Sequence, residues 1–274
     1  MSFPSSPEQS RHGLERIRVV LSRTSHPGNI GSAARAMKTM GLSRLVLVDP
    51  RVAQPSLDPE ARALATGGID VLERAQLCST LEQALEGAVL AVAFSARPRD
   101  LSHEALDVRS IAREAVEAVG GSAGGSDVAL VFGNESAGLS NHDVLLCNRL
   151  AHIPCDPKNG SLNLAAAVQV AAYEIRMAAL GAPQERVTGG RRAYEPATLD
   201  EVEQLYAHFE SSLRVTGFLD PGKPKRLMER LRRLFGRADL EREEVNILRG
   251  MLSAWDDALK KVGQRPPDEQ PPKA

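Results

Sequence analysis

Cysteine is scarce in this chain. Cys78, Cys147 and Cys155 are odd in number, widely spaced and without a CxxC pair or a His-rich companion, so neither a disulfide framework nor a zinc site is expected. A reduced, cytoplasmic setting fits that usage. Net charge is missing too: 34 Lys plus Arg stand against 35 Asp plus Glu, so any anionic partner must be held by a local basic patch. The N-terminal MSFPSSPEQSRHG lacks the apolar centre of a secretion signal, and no apolar run reads as long enough to cross a bilayer. No membrane association is expected, and no metal.

What is present is an alternation. Short apolar runs bounded by turn residues, 16-RIRVVLS-22, 44-RLVLVDP-50, 89-VLAVAFSA-96, 127-DVALVFGNE-135 and 150-LAHIPC-155, read as buried parallel strands. Helical segments lie between them, with start signals at Asp58-Pro59 and at a capping box Ser79-x-x-Glu82. The pattern predicts an α/β fold with a sheet covered on both faces. The segment 120-GGSAGGSD-127 precedes a strand, whereas a dinucleotide fingerprint must follow one, so it reads as a linker turn.

After Gly181 the texture changes. Residues 182–197 are rich in Pro, Gly and Arg and read as a linker. Residues 198–264 read as a small all-α domain of three helices. The first is opened by the capping box Thr198-x-x-Glu201, the second covers 223–236, and the third starts near Arg242 with Val245, Leu248, Leu252, Trp255 and Leu259 on one face. Residues 1–15 are expected to be flexible and 265–274 disordered.

Three junctions after strands are rich in small and polar residues: 22-SRTSHPGNIGSAARAMKTMGL-42, 132-FGNESAGLS-140 and 160-GSLN-163. Ligands in α/β sheets sit outside the carboxyl ends of strands, so one pocket shared by these loops is expected. Asn29 reads as a helix cap, Arg35 as a residue early in a helix that ends at Gly41, and Ser161 as the cap of the Ala-rich helix that follows. The second loop has Gly133 and Gly138 bracketing Glu135 but no Lys-[Ser/Thr] of a phosphate loop.

Taken together the loops resemble the SpoU branch of the SPOUT methyltransferases: Asn29-Ile30-Gly31 through Arg35, Phe132-Gly133-Asn134-Glu135 through Gly138-Leu139, and Ile153-Pro154 through Ser161-Leu162-Asn163. The start 24-TSHPGNIGSAARAMKTMGL-42, the loop 95-SARPRDL-101 and the stretch 246-NILRGML-252 are similar to the TrmJ subgroup of tRNA ribose methyltransferases. Ser136 stands where a Gly is common in the wider branch. The resemblance covers most of residues 16–180 and implies a trefoil-knotted parallel-sheet methyltransferase domain over 16–181. It also implies a homodimer, S-adenosyl-L-methionine as cofactor, and 2′-O-methylation of tRNA at a cytidine or uridine of position 32.

The residues the resemblance places around the cofactor are Phe94, Ser95, Ala96, Gly133, Ile153, Gly160, Ser161 and Leu162. Its catalytic set is Arg35, Asn29, Glu135, Ser161 and Asn163, with Arg35 at the reacting hydroxyl. A guanidinium holds its proton throughout the physiological pH range. Arg35 is therefore expected to hold a phosphate and steady developing alkoxide charge rather than to act as a base. Glu135 is expected to support Arg35 or the loop. The small residues Ala165, Ala166, Ala167, Ala171 and Ala172 are expected near a dimer contact.

The RNA-binding face is expected on the second tail helix. There Arg226, Arg230, Arg233 and Arg237 recur at helical spacing, while Leu227, Leu231, Leu234 and Phe235 point toward a core. Arg97 and Arg99, beside the cofactor loop, are further RNA-contact candidates. Two rival functions remain open to the residues alone: a dinucleotide oxidoreductase, whose fingerprint glycines are absent, and a non-catalytic RNA-binding protein of the same fold.

Overall fold

The computed structural model describes residues 13–96, 105–120, 126–156, 158, 160–181 and 195–263. They belong to two compact units, Met1–Gly189 and Gly190–Ala274. The first is built on a seven-stranded sheet of β1 (Ile17–Ser22), β2 (Arg44–Val48), β3 (Gln76–Cys78), β4 (Ala88–Phe94), β5 (Ala105–Asp107), β6 (Asp127–Phe132) and β7 (Arg149–His152). Their order is β3-β2-β1-β6-β4-β7-β5, and every pairing is parallel. The apolar runs of β1, β4 and β6 are buried almost end to end, as strands covered on both faces must be. Edge strands β3 and β5 were not expected from the sequence: three residues carry no period to read.

The helices of this unit are α1 (Pro27–Met40), α2 (Pro59–Leu64), α3 (Ile69–Glu73), α4 (Leu81–Leu85), α5 (Val108–Val119), α6 (Asn141–Leu146) and α7 (Leu164–Gly181). Asp58 caps α2 as anticipated, accepting from the N–H groups of Glu60 and Ala61. The cap of α4 is Thr80 and not Ser79, one residue later than the sequence suggested. Helix α1 packs against α2, α3 and α7. Gly31 makes the first of these contacts possible: a Cβ there would lie 2.0 Å from the Ala61 carbonyl oxygen.

Helix α7 packs on both α1 and α5. Its length and composition would suffice to cross a membrane, contrary to the sequence reading. Its buried side, however, with Leu164, Val168, Ala171, Ala172 and Ile175, belongs to the core of this unit. Ala165, Ala171 and Ala172 therefore face inward rather than toward a partner. The outward side shows Ala166, Tyr173, Met177 and Leu180.

The second unit holds α8 (Leu199–Val215), α9 (Leu227–Gly236) and α10 (Arg242–Gly263). Thr198 and Glu201 form the anticipated capping box of α8. Its core gathers Ala197, Leu205, Val245 and Leu252, with Phe209 and Leu248 packed against it. Arg232 stands over the Tyr206 ring at 4.6 Å and pairs with Glu203. Three apolar residues assigned inward by periodicity are outward: Leu234 is 50% exposed, Trp255 51% and Leu259 37%. Helix α9 also starts later than the expected 223, because Lys225 and Arg226 hold left-handed backbone angles of 47° and 58°.

Candidate active site

The three motif loops meet at the carboxyl ends of β1, β4, β6 and β7. Helix α1 begins at Pro27 with His26 in the cap position, and His26 makes no side-chain cap bond. The cap comes from the β6–α6 loop instead. The Glu135 carboxylate accepts from the Ser25 N–H (3.2 Å), the Ser25 hydroxyl (3.0 Å), the His26 N–H (3.3 Å) and the Asn29 Nδ2 (2.9 Å). A negative charge at a helix N-terminus also meets the positive end of the helix dipole.

The chain of bonds continues. Asn29 Oδ1 accepts from Asn163 Nδ2 at 2.9 Å, and Asn163 Oδ1 accepts from the N–H groups of Ala165 (2.9 Å) and Ala166 (3.4 Å). Each link fixes the next. An ionised carboxylate can only accept, so Asn29 must present its NH₂ to Glu135 and its oxygen to Asn163. Asn163 then has only its oxygen left for α7. Two sequence expectations are corrected here: Asn163 rather than Ser161 caps α7, and Asn29 is a bridge inside the first turn of α1 rather than its cap. Glu135 supports the loops and α1, and no bond joins it to Arg35.

The Glu135 carboxyl is pushed up by partial burial, but the hydrogen bonds from Asn29 and Ser25 outweigh this and leave it below the usual glutamate range. It stays ionised at neutral pH. A carboxylate so lowered, with its lone pairs already engaged, is a poor proton acceptor.

Beside this relay lies a pocket of about 350 Å³, within the size range of small-molecule sites. Every residue that the sequence placed around a cofactor lines it: Phe94, Ser95 and Ala96 after β4, Gly133 after β6, Ile153 after β7, and Gly160, Ser161 and Leu162 before α7. Glu135 and Asn163 line it as well. Gly133 is needed because the loop doubles back on it: a Cβ would lie 2.1 Å from the Gly138 carbonyl carbon. The Asn134 side chain ties that turn, accepting from the N–H groups of Ser136 (3.1 Å) and Ala137 (2.7 Å). Ser136 adopts no left-handed backbone, so the turn does not require the glycine common at that position.

Sequence reasoning missed several contributors. Phe132 stacks on Phe94 with ring centroids 4.4 Å apart and also lines the pocket; its place in the Phe-Gly-Asn-Glu motif was the available signal. Ser25, which gives Glu135 two hydrogen bonds, had its place in the stretch 24-TSHPGNIGSAARAMKTMGL-42 as a signal. Cys155, half-buried, lines the pocket too.

Arg35 is not brought into this pocket. It lies in the third turn of α1, not the first, is exposed, and has its Cα against Gly68. Arg97 and Arg99 lie outside the described residues. Arg226, Arg230, Arg233 and Arg237 are all exposed, and Arg226 pairs with Glu229 at 2.7 Å. No group of three or more His, Cys, Asp or Glu side chains suited to a metal occurs among the described residues.

Residues 16–173 match the SpoU rRNA methylase family, and residues 200–265 match the C-terminal domain of the tRNA methyltransferase TrmJ. The chain is 48% identical over 262 residues to the tRNA (cytidine/uridine/adenosine-2′-O-)-methyltransferase TrmJ of Pseudomonas aeruginosa, spanning 93% of this chain and 100% of that one. It is likewise 48% identical over 248 residues to the tRNA (cytidine/uridine-2′-O-)-methyltransferase TrmJ of Klebsiella pneumoniae, spanning 90% and 99%. A crystal structure of TrmJ from Z. mobilis superposes with a TM-score of 0.74 at 30% identity, covering 87% of this chain and 98% of that one. Matched by family in both parts of its length, and with its three motif loops tied together by one hydrogen-bonded relay, the chain belongs to the SpoU methylases and, among them, to the TrmJ tRNA methyltransferases.

Proposed function

We propose that this protein methylates the ribose 2′-oxygen of a cytidine or uridine at position 32 of tRNA, in the cytoplasm, with S-adenosylmethionine as methyl donor. The observation that carries this reading is one pocket lined by the second and third motif loops, to which the Glu135–Asn29–Asn163 relay ties the first loop, although that loop does not itself line the pocket as the sequence suggested. The relatives named above are tRNA 2′-O-methyltransferases, which supports the substrate class.

The pocket suits the donor. Phe94, Ile153 and Leu162 offer flat apolar walls, while the loops at Gly133–Gly138 and Gly160–Ser161 bring backbone groups and small side chains close. Bound there, S-adenosylmethionine supplies a methyl group on a sulfonium, already a good leaving group. The protein's remaining tasks are to align the ribose oxygen with that methyl and to accommodate the charge that develops as the hydroxyl loses its proton. Glu135 acts as a positioning residue, for the reasons of charge and engagement given above. Arg35 steadies the phosphate and the developing alkoxide.

Arg35 lies six residues along α1 from Asn29, roughly 9 Å along the axis and on a different side. It therefore meets the reacting ribose from outside its own chain's pocket, as an assembly of two copies would allow. The homodimer uses the outward side of α7, where Tyr173 (47% exposed), Met177 (45%) and Leu180 (54%) form an apolar stripe at helical spacing. The structure corrects the expected four-arginine face, since only Arg230 and Arg233 lie on α9 while Arg226 and Arg237 flank its ends; these arginines take the tRNA backbone.

The test is direct. Unmodified tRNA transcripts are incubated with the protein and S-adenosylmethionine, and ribose methylation is mapped by resistance to alkaline cleavage. Methylation at position 32 is the expected result. A mark elsewhere moves the substrate position, and donor binding without methyl transfer to any tRNA would make the chain a binding protein.

A further inference from the structure

The loop between α8 and α9 carries an exposed aromatic on a fixed backbone. Phe218 is 71% exposed, and its neighbour Val215 68%. Nothing about the loop is loose. Thr216 and Gly217 close the end of α8 by donating to the carbonyls of Ser212 (3.0 Å) and Arg214 (3.1 Å), and Leu219, only 4% exposed, anchors the chain with a 2.9 Å bond to the Leu213 carbonyl. Asp220 ties the next turn, accepting from Gly222 (2.8 Å) and Lys223 (3.0 Å). The loop then enters α9 through Lys225 and Arg226, both held left-handed. For residues with long side chains that conformation is unfavourable, and it is maintained where the surroundings require it.

The loop's charge is one-sided. Residues 215–226 carry Lys223, Lys225 and Arg226 against the single acid Asp220, in a chain that is otherwise balanced. A ring held out to solvent on a loop that also carries cations is the chemistry of single-stranded nucleic acid binding, in which bases stack on the ring and phosphates meet the cations. In a duplex the base faces are covered by their neighbours, so the ring needs an unpaired base.

Resting on the reading of tRNA as substrate, we propose that Phe218 is a stacking platform for an unpaired base of the bound tRNA, with Lys223 and Lys225 on the adjoining phosphates. This subsite is separate from the arginines on and beside α9 in what it reads: the arginines sense backbone charge, the ring senses an open base.

The experiment uses the full chain and an unmodified tRNA transcript, with affinity measured at several salt concentrations for the wild type, Phe218→Ala, Phe218→Leu, Phe218→Trp and Lys223→Ala/Lys225→Ala. Phe218→Ala should weaken binding roughly 5- to 150-fold, the span of one base–aromatic stack, with an unchanged salt slope. Phe218→Leu should fall with it and Phe218→Trp should hold. The lysine pair should instead flatten the slope by roughly 0.7–0.9 per contact. Affinity for a fully paired RNA duplex should not distinguish Phe218→Ala from the wild type. The proposal is overturned if Phe218→Ala or Phe218→Leu binds tRNA as the wild type does. A change in sedimentation of Phe218→Ala would also overturn it, because the ring then covers a protein surface. Failure of the wild type to bind tRNA would defeat the substrate reading itself, whereas tight wild-type binding that ignores Phe218 defeats only the stack.

Discussion

Glu135→Gln keeps the shape of the side chain at the centre of the relay and removes its charge. Each carboxylate oxygen accepts two bonds, one from Ser25 N–H and hydroxyl, the other from His26 N–H and Asn29 Nδ2. A glutamine has one oxygen. Its better orientation keeps that oxygen toward His26 and Asn29 and turns the NH₂ toward Ser25, whose hydroxyl can rotate to accept. The Ser25 N–H bond is then lost, at about 1 kcal/mol. The negative charge at the start of α1 goes too, which costs about 0.3–1 kcal/mol. The sum, about 1–2 kcal/mol, corresponds to a melting point about 2–8 °C lower for a unit of this size. Methyl transfer should fall with it, because Asn29 and Asn163 lose their fixed orientation. The pH dependence follows from the lowered carboxyl. A group held below its unfolded value near 4.3 contributes fully above that value and loses its contribution as pH falls through the folded value. The melting gap between wild type and Glu135→Gln should therefore be constant from pH 8 down to about 5.5 and narrow progressively as pH falls past the unfolded value near 4.3 and through the lowered folded value. Melting curves across that range, with single-turnover methylation at pH 7.5, make the assay. Equal melting points at neutral pH, or a gap that stays open at the lowest pH where both proteins still melt cooperatively, would refute the reasoning.

Arg35→Ala should reduce methyl transfer by at least roughly 10²-fold while calorimetry finds S-adenosylmethionine binding little changed, since Arg35 is outside the pocket; near-normal turnover removes it from the mechanism. Gly31→Ala should destabilise by about 1–3 kcal/mol or more, because its Cβ meets the Ala61 carbonyl. Gly250→Ala, in α10 with no atom within 4 Å of its Cβ, should stabilise by up to about 1 kcal/mol. Denaturant titration of the pair checks the packing argument, which fails if the two variants shift alike. Met177→Glu puts a charge into the apolar stripe of α7 and should raise the dimer dissociation constant at least roughly tenfold in sedimentation; an unchanged dimer places the interface elsewhere.

The strands that could be read in advance are those buried on both sides, where Val-, Ile- and Leu-rich runs stand out against polar neighbours. β3 and β5 escaped because each is a three-residue edge strand, with exposed Gln76 and Leu77 in the first. The lining of the pocket was legible through the resemblance of the loops to the SpoU motifs, which implies those positions. What each polar side chain does was less so. Ser161 and Asn163 are both competent caps, and the choice depends on α7 starting at Leu164, which composition does not fix. Asn29 looked like a cap because the start of α1 at Pro27 was unknown, and a cap supplied by Glu135 from more than a hundred residues away leaves no local trace. The same distance effect misled the tail: periodicity aligned Trp255 and Leu259 with Leu252, but only part of that face meets another helix.

The bond between Asn29 and Asn163 joins residues 134 positions apart, and β1 pairs with β6 across a similar interval. Contacts of such separation form late, since the intervening chain must first be gathered in. If the pocket holds the methyl donor as proposed, a chain emerging from the ribosome cannot complete that site until residue 163 and the first turn of α7 are out. Once the pocket closes, donor binding stabilises only the finished domain, by an amount set by donor concentration over its dissociation constant. On that assignment the relay makes ligand capture a report that folding is complete.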